Sequence, residues 1–262
     1  TSKNPFDYQG LSMSIQGGIM HLNNDYGSDP SMMNDVSFRY GKKISDKVAF
    51  KIIGGYLNAS DWNASDYRNK SDINNLSSNR WNDSGYDGVN VYGDEVSINL
   101  EDIEDQIAEG FADNLGHNIG SQEYNDAVEL IKNTIPNKEL TRTGFREKDL
   151  VTYNAENIKL GGSLHYNISS KLKSIFKLNY AKGSSVYSAQ NRFSLNDFSI
   201  FNYKAELQTE NMLFRFSGAN ENSGDTYDAG TLAIQINESW KTSELWYQDF
   251  FTGFITGKLA YA

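Results

Sequence analysis

Five aromatic side chains lie among asparagine and aspartate residues in a long polar stretch of the chain. Aromatic rings bury the apolar faces of sugars and peptides, and nearby amide and carboxylate groups fix the orientation of the ligand. Such rings can equally form the small core of a loop, and this alternative stays open. The candidate substrate-binding residues are Trp62, Tyr67, Trp81, Tyr86 and Tyr92.

The same stretch loosely matches a calcium-binding loop. Asp83, Asp87 and Asp94 occupy the first, fifth and twelfth positions of the pattern, and carboxylate oxygens suit a hard cation. The match is incomplete, because position three is glycine, position twelve is aspartate, and no helix is predicted on either side. The sequence therefore offers a calcium candidate and otherwise predicts no metal and no cofactor.

Catalytic patterns are not found in the sequence. His21, His117 and His165 are isolated from one another, and the chain contains no cysteine. It has no nucleophile elbow, no phosphate-binding loop and no paired metal ligands. We therefore predict that the protein is not an enzyme.

The elements that position these candidates are strands, because seven segments alternate apolar and polar residues with a period of two. In the clearest segment, Leu160 and Leu164 fall on one face and Lys159 and Ser163 on the other. Seven repeats of this pattern predict a sheet with one apolar face. The segments cover residues 11–19, 36–40, 48–57, 158–168, 172–180, 201–208 and 212–217.

Basic residues dominate the polar face of these segments, and Glu206 is the main acid there. In a membrane barrel this face lines the interior, so we predict a basic lumen that pairs with an acidic internal element. The alternative is solvated charge on the wet face of an ordinary sheet. The predicted lumen-facing residues are Arg39, Lys51, Lys159, His165, Lys173, Lys177, Lys204 and Arg215.

Connection lengths favour a transmembrane barrel over a soluble sandwich or a lipocalin-like barrel. Short connections near residues 42–47, 169–171 and 209–211 alternate with long polar ones at 23–35, 58–156 and 181–196. Outer-membrane barrels have short turns at one rim and long loops at the other. We therefore predict an all-β fold: an incomplete transmembrane antiparallel β-barrel of about seven or eight strands.

Composition is compatible with this prediction. Only 38% of the residues are apolar and the mean hydropathy is −0.60, but a membrane strand needs apolar residues only at alternate positions over about 9 to 11 residues. Residues 58–156 contain 8 basic and 20 acidic side chains, a net charge of −12. An acidic exposed region repels phosphates, so nucleic acid is not an expected partner.

Four regions follow from these patterns. Residues 1–57 hold the first three barrel strands, and residues 58–156 form a long acidic extracellular loop. Within the loop, apolar spacing predicts short helices at 101–115 and 122–135; the loop is either a cap that grips substrate or partner, or a variable surface insertion. Residues 157–219 hold strands four to seven, and residues 220–262 form an extracellular loop or helix, or the next strand.

Several segments resemble one family. Residues 1–10, TSKNPFDYQG, resemble the exit from the plug domain of TonB-dependent outer-membrane receptors, where the chain enters the first barrel strand. The likeness extends to Bacteroidota receptors of the SusC/RagA-like group. It lies in residues 57–62 (LNASDW), 191–198 (NRFSLNDF) and 221–227 (ENSGDTY).

This resemblance implies energised uptake of an oligosaccharide, a peptide or a metal chelate across the outer membrane of a Gram-negative bacterium. It also implies a 22-stranded barrel filled by its own plug, surrounded by outer-membrane lipid and driven by TonB, with a SusD-like lipoprotein as a candidate partner. The chain is then expected to be the partial barrel region that follows the plug. The alternative is a soluble cell-surface β-rich domain that binds a ligand.

Overall fold

The computed structural model describes residues 3–21, 30–189 and 191–260. Strand residues make up 44% of the chain and helical residues 23%, so the protein is mostly β. In chain order the elements are β1 (Gly10–Met20), β2 (Ser31–Lys43), β3 (Val48–Ser60), β4 (Val91–Tyr92), β5 (Ser97–Asn99), a 3-10 turn (Glu101–Ile103), α1 (Glu104–Asn114), α2 (Gln122–Lys132), β6 (Glu139–Thr141), β7 (Phe145–Arg146), α3 (Glu147–Leu150), β8 (Asn154–Asn167), β9 (Lys173–Ser188), β10 (Arg192–Gln208), β11 (Leu213–Asn222), β12 (Tyr227–Asp228), α4 (Ala229–Trp240) and α5 (Ser243–Ala260).

One large antiparallel sheet dominates the fold. Its seven long strands pair in the order β1, β2, β3, β8, β9, β10, β11, and the short β12 adds beside β10 to give eight strands. The mainly β class and the seven predicted strands are confirmed. The sheet is open within the described residues, so its closure into a barrel stays a prediction.

Three tight hairpins at one end of the sheet share a local device. In each, a hydroxyl at the start of the turn accepts a hydrogen bond from the backbone N–H three residues later, which offers the chain a turn in place of the strand ladder. The hairpins join β2 to β3, β8 to β9, and β10 to β11. The bonds are Val48 N to Ser45 Oγ at 3.2 Å, Leu172 N to Ser169 Oγ at 3.2 Å, and Met212 N to Thr209 Oγ1 at 3.0 Å.

The predicted long loop at residues 181–196 is wrong. β9 continues to Ser188 and β10 begins at Arg192, so most of this segment is paired strand. The extension has few apolar side chains: Tyr187, Phe193 and Leu195 share one face and Val186 lies on the other. This pattern is too short to stand out as a strand signal among the polar residues around it. A register shift between Leu195 and Phe198 surrounds Asp197, whose φ of 57° lies in the left-handed region that bulges use. The predicted connection at 23–35 lies partly outside the described residues, and β2 begins at Ser31.

The chain divides into two compact units. The sheet unit comprises Thr1–Asn63 and Val151–Asp228, and the loop unit comprises Ala64–Leu150 and Ala229–Ala262. The sequence left residues 220–262 open between loop, helix and strand, and the structure shows the two helices α4 and α5 after the short β12. Sequence patterns did not predict that these helices belong with the long loop.

The loop unit has its own apolar core. The two predicted helices are present as α1 and α2, and Ser121 begins α2 by accepting a hydrogen bond from Tyr124 N at 3.1 Å. Among the described residues, no helix combines the length and the apolar character needed to cross a membrane. Two buried clusters bring α5 together with the long loop: Leu100, Leu140, Tyr247 and Phe251, and Ala108, Ile131 and Ile255.

Candidate functional site

The register places all eight predicted lumen-facing residues on one face of the sheet. Directly opposed residues of neighbouring strands share a face. Across four strands, Lys51 opposes Ser163, Ser163 opposes Lys177, and Lys177 opposes Lys204. The same ladders bring in Arg39, Lys159, His165, Lys173 and Arg215. Whether this face lines a lumen stays a prediction.

The opposite face is apolar and exposed. Ile15 is 71% exposed, Leu164 48% and Phe216 67%. Contiguous apolar patches of this kind are rare on soluble monomers and mark surfaces that contact protein or membrane. Other exposed members that register assigns to it are Leu11, Met13, Ile19, Phe38, Ile52, Tyr56, Ile158, Leu160, Tyr166, Phe176, Leu178, Tyr180, Phe201, Leu207 and Phe214.

The N-terminal segment, residues 3–9, contacts the polar face. Lys51 Nζ donates to the Lys3 carbonyl oxygen at 3.2 Å, and the Arg39 guanidinium donates to the Tyr8 carbonyl oxygen. Gly41 permits this approach, because a Cβ there would lie 2.7 Å from the Tyr8 oxygen. Pro5 is fully buried. The segment therefore lies on the charged face and not on the apolar one.

Charge on the polar face is partly paired. The buried Glu206 carboxylate accepts from Arg215 Nε at 2.7 Å and lies 3.1 Å from Lys204 Nζ. The buried His165 ring nitrogen Nε2 lies 3.2 Å from Ser163 Oγ. Cations outnumber acids among the eight residues and Glu206, so this face attracts anionic groups.

The loop unit contains a cavity of about 430 Å³, a volume in the range of small-molecule sites. Three of the five predicted aromatic residues line it: Tyr67, Trp81 and Tyr86. Three arginines and two aromatic residues of α5 also line the cavity and were not predicted from the sequence. They are Arg80, Arg142, Arg146, Trp246 and Phe250.

Each arginine of the cavity lies against an aromatic ring. This arrangement orients the guanidinium groups and leaves the N–H edges of the exposed Arg80 and Arg146 available for an anion. Trp81 is 85% exposed, so its ring can also offer a flat face to a ligand. The distances from guanidinium carbon to ring centroid are 4.9 Å for Arg80 and Trp81, 4.9 Å for Arg146 and Tyr67, and 5.3 Å for Arg142 and Trp246.

Arg142 is the buried member of this set, with 2% exposure. It donates to Ser243 Oγ at 2.9 Å and to the Asn237 carbonyl oxygen at 3.2 Å, and its Nη1 lies 3.4 Å from Glu238 Oε1. Its Nε has no hydrogen-bond partner among the described residues. The pKa of Glu238 is lowered, first by hydrogen bonds from Ser243 and then by Arg142.

Tyr86, Tyr92 and Trp62 of the predicted aromatic set differ in their contacts and exposure. Tyr86 is buried and donates its hydroxyl to the Tyr67 carbonyl oxygen at 2.5 Å, and burial followed by the charge of Asp94 raises its pKa. Tyr92 pairs in β4 and donates to Glu147 Oε2 at 2.9 Å. Trp62 lies in the sheet unit and is 42% exposed. The structure therefore gathers Tyr67, Trp81 and Tyr86 in the cavity, without Trp62 and Tyr92 among its lining residues.

The residues of the calcium pattern separate in the structure. Asp83 accepts hydrogen bonds from Ser78 Oγ at 2.7 Å and from Asn69 Nδ2 at 3.0 Å. Asp87 and Asp94 instead converge with Glu95, which the sequence pattern did not include. The local fold therefore replaces the predicted ligand set with a different one.

Comparison with known proteins gives no family assignment. A scan against protein-family models and a search of curated proteins both find no match. The two faces of the sheet and the cavity of the loop unit are therefore the features from which function has to be inferred.

Proposed function

We propose that this chain is part of an outer-membrane receptor that takes up a nutrient with energy delivered by TonB. The observation that carries the proposal is the exposed apolar face of the sheet, which includes Ile15, Leu164 and Phe216. Removing one such side chain from water is favourable by about 2 kcal/mol, so covering the whole face contributes tens of kcal/mol. The hydrocarbon of a bilayer can cover the apolar side chains of all strands of a sheet at once.

The open edges of the sheet support a larger barrel. β1 and β11 are its edge strands within the described residues. In hydrocarbon an unpaired backbone group costs several kcal/mol, and only a closed barrel satisfies every strand. We infer that further strands complete the wall, in keeping with the resemblance to plugged barrels of about 22 strands.

The polar face supports a filled lumen. In this proposal, the basic residues line the interior and meet the acidic surface of a plug. Residues 1–10 resemble the chain that leaves a plug, and within them Lys3 and Tyr8 contact Lys51 and Arg39 on this face. The side of the sheet that they contact is the side expected of a plug exit.

The cavity of the loop unit supplies a ligand site on the extracellular side of the proposed receptor. Exposed rings such as Trp81 suit a sugar or peptide, and the exposed guanidinium groups of Arg80 and Arg146 match carboxylate or phosphate. We therefore favour the negatively charged members of the three nutrient classes, namely acidic oligosaccharides, peptides and metal chelates. A SusD-like lipoprotein is a proposed partner in capture.

Spin labelling at two neighbouring positions tests the proposal. The chain has no cysteine, so single-cysteine variants Ile15→Cys and Gln16→Cys each carry one nitroxide. Both side chains are exposed, but they lie on opposite faces. In lipid vesicles, the label at 15 should collide mainly with oxygen, which concentrates in hydrocarbon, and the label at 16 with a water-soluble nickel chelate.

A soluble cell-surface domain makes the opposite prediction. Both labels would then collide with the nickel chelate to a similar extent, and the chain would remain monodisperse without detergent. The membrane proposal would be refuted if the label at position 15 collided mainly with the nickel chelate, or if the chain stayed monodisperse without detergent. In both cases a circular dichroism spectrum must show that the strands are intact.

A further inference from the structure

Three carboxylates of the loop unit converge beside the cavity. Asp87, Asp94 and Glu95 each place an oxygen within 4.8 Å of the oxygens of the other two. Lys70 Nζ lies 2.7 Å from Asp87 and 3.9 Å from Glu95. This one ammonium group contacts two of the three acidic side chains, so the cluster holds more negative than positive charge.

Asp94 gives independent evidence that the cluster binds a ligand. It is 1% exposed, and one of its oxygens accepts a hydrogen bond from Gly88 N at 2.9 Å. The other oxygen, Oδ1, is buried and has no hydrogen-bond partner in the described part of the chain. A buried carboxylate oxygen normally has a hydrogen-bond or metal partner, because its desolvation is costly.

We propose that Asp87, Asp94 and Glu95 bind a calcium ion. All three offer hard oxygen ligands, and calcium accepts irregular geometry with carboxylates, carbonyls and water at 2.3–2.6 Å. Zinc prefers nitrogen and sulfur ligands, and magnesium requires a nearly octahedral site. The ion would displace Lys70 from Asp87, so we expect an affinity of about 10⁻⁴ to 10⁻³ M, as in extracellular calcium modules.

The site would stabilise the wall of the cavity. Tyr86 and Val91 line the cavity; Tyr86 directly precedes Asp87, and Val91 lies between Asp87 and Asp94. A calcium ion that links Asp87 to Asp94 therefore restrains the backbone at both lining residues. This inference does not depend on the transport proposal, because it concerns only the loop unit.

Calcium titration of the full chain in detergent tests the site. Calorimetry with CaCl₂ and terbium luminescence excited through tyrosine should both detect binding, with Tyr86 as a nearby sensitiser. Asp94→Asn, which preserves shape, should weaken binding at least tenfold. Lys70→Met should strengthen it at least threefold, because the competing ammonium group is removed.

Asp83→Asn is the matched control. Asp83 belongs to the sequence pattern but lies with Ser78 and Asn69, so this variant should bind calcium as the wild type does. Wild-type chain without heat or terbium signal up to 10 mM, or equal affinity in Asp94→Asn, would overturn the proposal. It would also be overturned if Asp83→Asn lost binding while Asp94→Asn, with an unchanged circular dichroism spectrum, retained it.

Discussion

Replacing Asp94 with asparagine should remove a pH-dependent loss of stability from the loop unit. Burial, assisted by the charges of Asp87 and Glu95, raises the pKa of Asp94 from 3.8 to about 7. Each pKa unit corresponds to about 1.4 kcal/mol, so the ionised carboxylate costs at most about 4 kcal/mol without metal. The folded chain holds this proton more tightly than the unfolded chain, so stability falls as the pH rises from about 4 to about 7 and then levels off.

Urea unfolding in EDTA at pH 5, 6, 7 and 8 measures this effect through tryptophan fluorescence, to which Trp81, Trp240 and Trp246 of the loop unit contribute. The relevant quantity is the wild-type free energy of unfolding minus that of Asp94→Asn, because other titrating groups cancel in the difference. About 2.7 kcal/mol of this loss falls between pH 5 and 8, so with a slope of about 2 kcal/mol per molar urea the relative midpoint should shift by about 1.3 M over that range. Asp72→Asn, at an exposed position, should follow the wild type. Identical pH dependence in wild type and Asp94→Asn would refute the reasoning.

Two further predictions concern the cavity and the core of the loop unit. On an array of neutral and acidic oligosaccharides, Trp81→Ala should give a binding signal at least tenfold weaker than the wild type, because an exposed stacking face is removed. Trp240 is an exposed ring outside the cavity lining. An equal loss of signal in Trp240→Ala would contradict the prediction. Ile255→Ala should destabilise the loop unit by about 2–5 kcal/mol in urea, because Ile255 is fully buried against α1 and α2. Leu245→Ala, at a 52% exposed position, should cost much less, and equal losses would contradict the assigned core.

Strands were predictable from the sequence because their signal is local. A period of two decides which face a side chain occupies, and register follows once short turns fix neighbouring strands. Lys51 and Lys204 therefore share a face as expected, although the strands β8 and β9 lie between them in the sheet and more than a hundred residues separate them in the sequence. The hairpin around residues 189–191 escaped detection because its few apolar residues, among them Val186, Tyr187 and Phe193, form too short a pattern among polar ones.

The C-terminal helices were only partly predictable. Trp246, Phe250 and Phe254 recur at helical spacing, but bulky aromatic residues also favour strands. Their stacking, with centroid distances of 5.9 Å for Trp246 and Phe250 and 6.4 Å for Phe250 and Phe254, requires the helical form. Contact between α5 and the long loop is non-local, so no pattern within either segment encodes it.

The cavity illustrates the same division. Tyr67, Trp81 and Tyr86 were candidates because their residue types stand out in a polar stretch. Arg142 and Trp246 were not, since their contact joins positions about a hundred residues apart and is visible only after folding. Spacing also misassigned part of the acidic cluster, because backbone turns bring Glu95, and not Asp83, to Asp94.

The sheet reverses the distribution of side chains that water favours. Lys51 and Glu206 are 7% exposed, whereas Ile15 and Phe216 are 71% and 67% exposed. In water, this arrangement gives up apolar burial on one side and desolvates charge on the other, and the Glu206 to Arg215 pair offsets only part of that cost. With hydrocarbon outside, the apolar face becomes the favourable one, and the charges are left to a wet or protein-filled interior. This distribution of side chains supports the proposal that lipid covers the apolar face of a completed barrel.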